Sequence, residues 1–324
     1  MDMSRLSFDN YNRRFGVEIE VNALDGRDFI AYPLGENEIP AGMNYIGELL
    51  SKFIYEPVSI QVWHYTHDNE QWVIKSDRSC GIELCSPVSI RWNGLDTICS
   101  VIDLLNKDPI IQIDSRCSLH VHVNVADCTN REVAAILAYW IKSEPVFIDF
   151  LPSSRKRSRY FEHIGAGGAV EHNFEKWDAL PRLIGIHKYM TVNTFHRCKH
   201  NRQTIEFRIM GNEGCLDSKV ARNWIILVMH FLEMAKERYL PPKYHSDDVW
   251  SGLVWMDPRE VMQLLGFMGG YELSSELIEV RKWFLHRLKE HTGTGVGFWG
   301  KEGRKVAIKQ VDDIIRELNV SLPS

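Results

Sequence analysis

The chain predicts an α+β fold, with strands flanked by helices and a helical segment at its C-terminal end. Short runs alternate apolar and polar residues with the period of two that a half-buried strand requires. Longer runs repeat apolar residues every three or four positions, the spacing of one helix face, and beyond residue 240 only that spacing recurs.

The elements follow in order. Phe15 to Val21 sets Val17, Ile19 and Val21 against Glu18 and Glu20, a strand whose second face is acidic. Met43 to Ile54 carries Ile46, Leu49, Leu50 and Phe53 at helical spacing. Strands are expected near Ser59 to Tyr65, Gln71 to Lys75 and Gly81 to Cys85, the last stopped by Pro87. Leu95, Ile98, Ile102 and Leu105 mark a helix, and Leu119 to Val125 alternates strictly again. Thr129 and Glu132 form a capping box for a helix expected to run to about Lys142, where Pro145 should disturb it.

Pro152 to Gly185 mixes arginines, glycines and a proline with little periodicity and reads as a long loop or lid. Strands are expected at His187 to Phe195 and Thr204 to Met210, then a long helix with Val220, Trp224, Leu227, Val228 and Phe231 along its apolar stripe. Asp257 can cap a helix that has Pro258 at its first position, and Leu277 to Leu288 and Val306 to Leu318 are helical. The expected division is a main domain, residues 1–240, with a helical extension, residues 241–324, packed on it.

Composition bounds the function. With 324 residues and 44% hydrophobic content the chain can bury a large core. The 38 basic and 43 acidic side chains leave a net charge of -5, which speaks against a nucleic-acid partner. Met1 to Arg14 lacks the apolar core of a signal peptide and no later run is long enough to span a membrane, so the expected address is cytoplasmic. The seven cysteines (Cys80, Cys85, Cys99, Cys117, Cys128, Cys198 and Cys215) are scattered without a C-x-x-C pair. They read as small buried apolar residues rather than a disulfide framework or zinc ribbon.

Polar residues recur two apart on the predicted strands. Glu18 and Glu20, His120 and His122, and Glu206 and Arg208 each project from one side of a strand, while Lys75, Asp77 and Glu83 gather around a turn. A face carrying so many carboxylates repels itself unless cations neutralise it. Hard oxygen donors with imidazole, and no thiolate constellation, suit Mg2+ or Mn2+ better than zinc. Each pair alone reads more readily as a solvated strand face; it is their number that points to a site.

The ordered set Phe15-Gly16-Val17-Glu18-Ile19-Glu20, Lys75-Ser76-Asp77-Arg78-Ser79, Gly81-Ile82-Glu83-Leu84-Cys85-Ser86-Pro87, Ser118-Leu119-His120-Val121-His122-Val123 and Thr204-Ile205-Glu206-Phe207-Arg208 resembles the amidoligase family. That family is a branch of the glutamine synthetase and glutamate-cysteine ligase superfamily, and the resemblance covers about residues 15 to 230. The chain departs from the pattern at Ser118, where many relatives carry glycine; the side chain is expected to point away.

The resemblance implies an antiparallel sheet, like that of glutamine synthetase and glutamate-cysteine ligase, whose concave face holds ATP and two or three Mg2+ or Mn2+ ions. It implies Glu18, Glu20, Glu83, His120 and Glu206 as metal ligands, His122 and Lys75 near the nucleotide, and Arg208 at the transferred phosphate. The implied reaction joins a carboxylate substrate to an amine substrate (an amino acid, peptide or cell-wall fragment) through an acyl phosphate. Asp77 would either hold the amine or complete a metal shell. Arg155, Arg157 and Arg159 read equally as a loop that closes over the phosphates or binds the substrate carboxylate and as a solvated basic loop or nonspecific nucleic-acid patch. Lys188 and Asn193 sit in a similar segment but read at least as well as a surface lysine and a turn asparagine.

Thr292 to Gly297 invites a phosphate-loop reading, which fails because no strong strand precedes it and the G-K-[ST] ending is missing. Trp63, Trp72 and Trp140 read as core or interface residues, and His64 and His67 as surface groups near a turn. Two other functions compete: a metal-dependent phosphodiesterase or hydrolase, and an inactive nucleotide-binding module. Homo-oligomerisation is left open by the sequence.

Overall fold

The computed structural model describes residues 5–23, 39–61, 70–77, 80–156, 190–194, 203–238, 255–294 and 299–321. In chain order the elements are β1 (Arg5–Leu6), β2 (Arg14–Ala23), α1 (Ala41–Ile54), β3 (Ser59–Gln61), β4 (Val73–Asp77), β5 (Gly81–Cys85), β6 (Ser89–Ile90), α2 (Arg91–Lys107), β7 (Ile111–Gln112) and β8 (Leu119–Asn124). There follow α3 (Asn130–Asp149), α4 (Ser153–Lys156), β9 (Val192–Asn193), β10 (Thr204–Phe207), α5 (Glu213–Leu216), α6 (Ser218–Lys236), α7 (Pro258–Leu264), β11 (Glu272–Leu273), α8 (Ser275–His291) and α9 (Lys301–Glu317). The fold is α+β, with mostly antiparallel strands and flanking helices.

Two compact units divide the chain. A sheet unit comprises Asn12–Val123 and Met210–Trp224; a helical unit comprises Met1–Tyr11, Asn124–Ile209 and Ile225–Ser324.

In the sheet unit the strand order is β3-β4-β5-β2-β8, with β6 and β7 also paired to β2. Only β3 and β4 run parallel among these pairs. Because facing residues across a ladder point the same way, the register sorts the strands into two faces. One face is apolar, with Val17, Ile19, Val21, Ile74, Ile82, Leu84, Leu119, Val121 and Val123 all buried. The other carries the polar set that the alternation picked out. Helix α1 buries Met43, Ile46, Gly47 and Leu50, and a Cβ at Gly47 would come within 2.9 Å of the Ile60 side-chain tip, which would have to shift. Gly81 opens β5 with φ +116°, a left-handed conformation that a side chain resists.

The helical unit packs around aromatic rings. Trp140 stacks on Phe147 at 4.6 Å and meets Phe207 and Phe231 edge-on, and Phe284 joins from α8. Trp72, Trp140 and Trp224 are all buried, as expected of core residues; Trp63 lies outside the described residues. Among the described residues no helix is long and apolar enough to cross a membrane.

Both predicted caps form. Thr129 accepts from the Glu132 backbone while Glu132 reaches back, and Asp257 and Glu260 repeat the arrangement ahead of Pro258. Two expectations are corrected. Helix α3 does not end near Lys142 but runs through Pro145 to Asp149. An internal proline costs a helix about 3 kcal/mol, and full burial of a phenylalanine, isoleucine or leucine stabilises by about 1.5–3 kcal/mol each. With Phe147, Ile148, Phe150 and Leu151 all buried just beyond it, packing outweighs the missing hydrogen bond. The strand expected to reach Met210 ends at Phe207. There the carbonyls of Arg208 and Ile209 accept from the Arg155 side chain.

Candidate metal and phosphate site

The polar face of the sheet unit is assembled by register. Glu20 faces Glu83, Glu83 faces Lys75, and Glu18 faces both Cys85 and His120. His122 lies opposite Gly16, beside Glu18. Six of the sequence-selected residues (Glu18, Glu20, Lys75, Glu83, His120 and His122) therefore meet on one surface, and Asp77 stands on the same face of β4 two residues from Lys75.

Short contacts knit this surface. His120 Nδ1 lies 3.2 Å from Glu18 Oε2, and His122 Nε2 lies 3.2 Å from Glu18 Oε1. Glu18 is thus flanked by imidazoles on both oxygens. Burial works to raise its pKa, but the His122 charge, the His120 hydrogen bond and the Lys75 charge outweigh it, holding the carboxyl well below the usual range. Glu83 behaves oppositely. Burial and the Glu18 charge push it up to about 7, against the pull of Lys75. Lys75 Nζ donates to Glu83 Oε1 at 3.3 Å, and burial, which would discharge the ammonium, is overcome by Glu83, Cys85 and Glu18, so its pKa is raised.

Ser118 was expected to point away and does not. Its hydroxyl donates to Glu20 Oε2 at 2.6 Å, and the same oxygen lies 2.7 Å from His120 Nε2. It ties a carboxylate to an imidazole on the same face. Cys85, read as a buried apolar residue, also belongs here: its thiol donates to Glu83 Oε1 at 3.1 Å. Both were detectable in principle, because Ser118, His120 and His122, and Glu83 and Cys85, keep the same period of two. Asp77 Oδ1 accepts from the Cys80 backbone N–H at 3.3 Å across the turn before β5.

The helical unit holds the other two. Glu206 on β10 faces Asn193 on β9, and Asn193 Nδ2 donates to Glu206 Oε2 at 2.9 Å. Arg208 Nη1 donates to the other oxygen, Oε1. Asn193 is buried and orients Glu206, a role that the turn reading of its sequence segment missed. Arg155 sits on α4, 5% exposed, rather than in an open basic loop. Its Nε donates to Ile209 O at 3.2 Å and its Nη2 to Arg208 O at 3.0 Å, so it grips the backbone that carries Arg208. Arg157, Arg159, Lys188, His64 and His67 lie outside the described residues.

Of the Thr292 to Gly297 stretch, residues 295–297 lie outside the described residues. In its described part Lys156 Nζ donates to the Thr294 carbonyl at 3.1 Å, as it does to the preceding His291 carbonyl at 2.8 Å, so these two oxygens face a cation. A phosphate cradle needs N–H groups turned inward.

The donor set on the sheet unit fits a divalent ion. Ligand atoms of Glu18, Glu83 and Cys85 lie within 4.8 Å of one another, as do those of Glu20, Asp77 and Cys80, while His120 spans the two clusters with Nδ1 toward Glu18 and Nε2 toward Glu20. Four carboxyl groups, Glu18, Glu20, Asp77 and Glu83, share a face with one lysine, which leaves negative charge for a cation to neutralise.

The fold is α+β, and one face of its sheet unit gathers carboxylates and imidazoles. The sequence profile of the family described as "Putative amidoligase enzyme" matches residues 11–232, more than half of the chain, and the chain belongs to that family. No curated protein matches it. Among solved structures it is similar to a bifunctional glutathione synthetase from Pasteurella multocida, at 12% identity and a TM-score of 0.40. That match covers 97% of this chain, which spans 50% of the other.

Proposed function

We propose that the chain is an ATP-dependent carboxylate-amine ligase, using Mg2+ or Mn2+, on a sheet like that of glutamine synthetase and glutamate-cysteine ligase. The observation that carries this reading is the register that sets Glu18, Glu20, Glu83 and His120 on one face of a chain of the amidoligase family. In the proposed reaction a substrate carboxylate takes the γ-phosphoryl group of ATP, releasing ADP. An amine then attacks the acyl phosphate, and phosphate and a proton leave as the amide forms.

Bringing a carboxylate to a triphosphate is a meeting of anions. A bound divalent ion supplies the charge that screens this repulsion and stabilises the transferred oxygens. Glu18, Glu20 and His120 are the ligands that the sheet unit offers, with Ser118 fixing the last two. The family resemblance would add Glu83 and Glu206 as ligands and bring His122 and Lys75 to the nucleotide, with Arg208 at the phosphoryl group. Asp77 is assigned to the amine, where its carboxylate would accept the ammonium proton. The substrates are an acid and an amine of the amino-acid or peptide kind, including cell-wall fragments.

The test is to incubate the protein with ATP, MgCl2 and pairs of candidate acids and amines, following ADP and the condensed product by mass spectrometry. ADP formation that requires both substrates supports the ligase. Cleavage of phosphodiesters without ATP would replace it by the hydrolase.

A further inference from the structure

The family resemblance gives Glu83 to a metal ion, but the sheet unit has already given it a cation. Lys75 stands directly opposite Glu83 in the β4–β5 ladder, with Nζ 3.3 Å from Oε1 and both side chains largely buried. The same oxygen accepts from the Cys85 thiol at 3.1 Å. Around this ammonium, one ligand atom from each of Glu18, Glu83 and Cys85 lies within 4.8 Å of the others, a spacing at which three donors can share one cation. Lys75 springs from the middle of a paired strand and its side chain is 7% exposed, which restricts the reach of its ammonium. A divalent ion placed on Glu83 would have to sit beside that fixed positive charge.

We propose that Lys75 is the resident cation at the Glu83 end of the face, in place of a divalent ion, so that Glu83 is not among the metal ligands of the sheet unit. This rests on the proposed function only in assuming that the face binds a divalent ion at all. Glu83 then serves to hold the ammonium, and Lys75 neutralises a buried carboxylate so that the face carries less negative charge when no metal is bound. Removing the ammonium would leave two carboxylates and a thiol around a vacated cation position. Oxygen and sulfur donors together select a thiophilic ion such as Cd2+ over Mg2+.

The experiment uses the full chain and two probes, Mn2+ followed by electron paramagnetic resonance and Cd2+ followed by its ultraviolet thiolate charge-transfer band. Glu83→Gln is expected to bind the same number of Mn2+ ions as the parent; loss of one equivalent overturns the proposal. Lys75→Met is expected to gain one equivalent of Cd2+ with a new charge-transfer band. That gained band should vanish when Cys85→Ser is added, which assigns it to Cys85 rather than to the other cysteines, and should be missing from Lys75→Arg. No gained band in a Lys75→Met protein whose circular dichroism matches the parent also overturns it. If Lys75→Met does not fold, the Glu83→Gln count decides alone. A parent that binds no Mn2+ refutes the metal-dependent ligase, while the Cd2+ arm still decides the role of Lys75.

Discussion

Ser118 links Glu20 and His120 through one hydroxyl, so its effect should be felt through groups that themselves bind an ion. Outer residues that orient metal ligands typically matter by about 10–100-fold in affinity, and Ser118→Ala is expected to weaken Mn2+ binding by that order. A titration giving the parent's affinity would remove Ser118 from the site. Glu18→Ala should abolish turnover and leave the fold intact, because an acidic side chain on the polar face opens no apolar cavity; parent-like rates would refute its role. Arg155→Met acts differently. It strips a buried guanidinium from the carbonyls of Arg208 and Ile209, and an unsatisfied buried group costs about 1–3 kcal/mol, to be read from urea unfolding. Lysine restores the charge but not the two-pronged contact, so Arg155→Lys should recover only part of the loss.

The acidic alternation of Glu18 and Glu20 was legible because it is local: two residues apart on a strand share a face whatever surrounds them. Asn193 was not, since its value depends on Glu206 across a ladder, and nothing within a few residues announces that partner. Ser118 keeps the period of its near partner His120, but its bond to Glu20 depends on a separate strand.

Elements show the same division. The capping box at Thr129 could be read from four residues, and Thr129→Ala should cost about 1 kcal/mol in a denaturation midpoint. The persistence of α3 through Pro145 could not, because it depends on the aromatic rings that receive Phe147 and Phe150. Helix α6 carries a titrating group worth testing. His230 Nε2 donates to Leu265 O at 2.6 Å and Nδ1 accepts from the Tyr11 hydroxyl, which uses both nitrogens of the neutral ring. Burial lowers its pKa from 6.5 to about 4, overcoming the Leu265 carbonyl and Glu233. The unfolded chain therefore binds the extra proton first. Stability from this group is complete above pH 6.5, falls as the pH drops toward about 4, and amounts to about 3 kcal/mol. His230→Gln should flatten that slope in urea midpoints measured across this range; an unchanged slope would assign the acid sensitivity elsewhere.

At the scale of the whole molecule, the helical unit stands on the aromatic cluster of Trp140, Phe147, Phe207, Phe231 and Phe284. Truncating Phe147 to alanine would leave a cavity among rings that cannot collapse, at about 3–5 kcal/mol. Thermal unfolding of Phe147→Ala at the parent's temperature would show that the cluster is not the support. By itself the sequence determined the α+β class, most helices and strands, both caps, and which side of each strand is polar, because periodicity and capping act between residues a few positions apart. Only the tertiary structure decided that Glu83 faces Lys75, that Cys85 and His120 flank Glu18, and that Arg155 grips a backbone rather than solvent. Those outcomes depend on which strands pair and in what register, and a slip of one residue would turn every side chain to the opposite face.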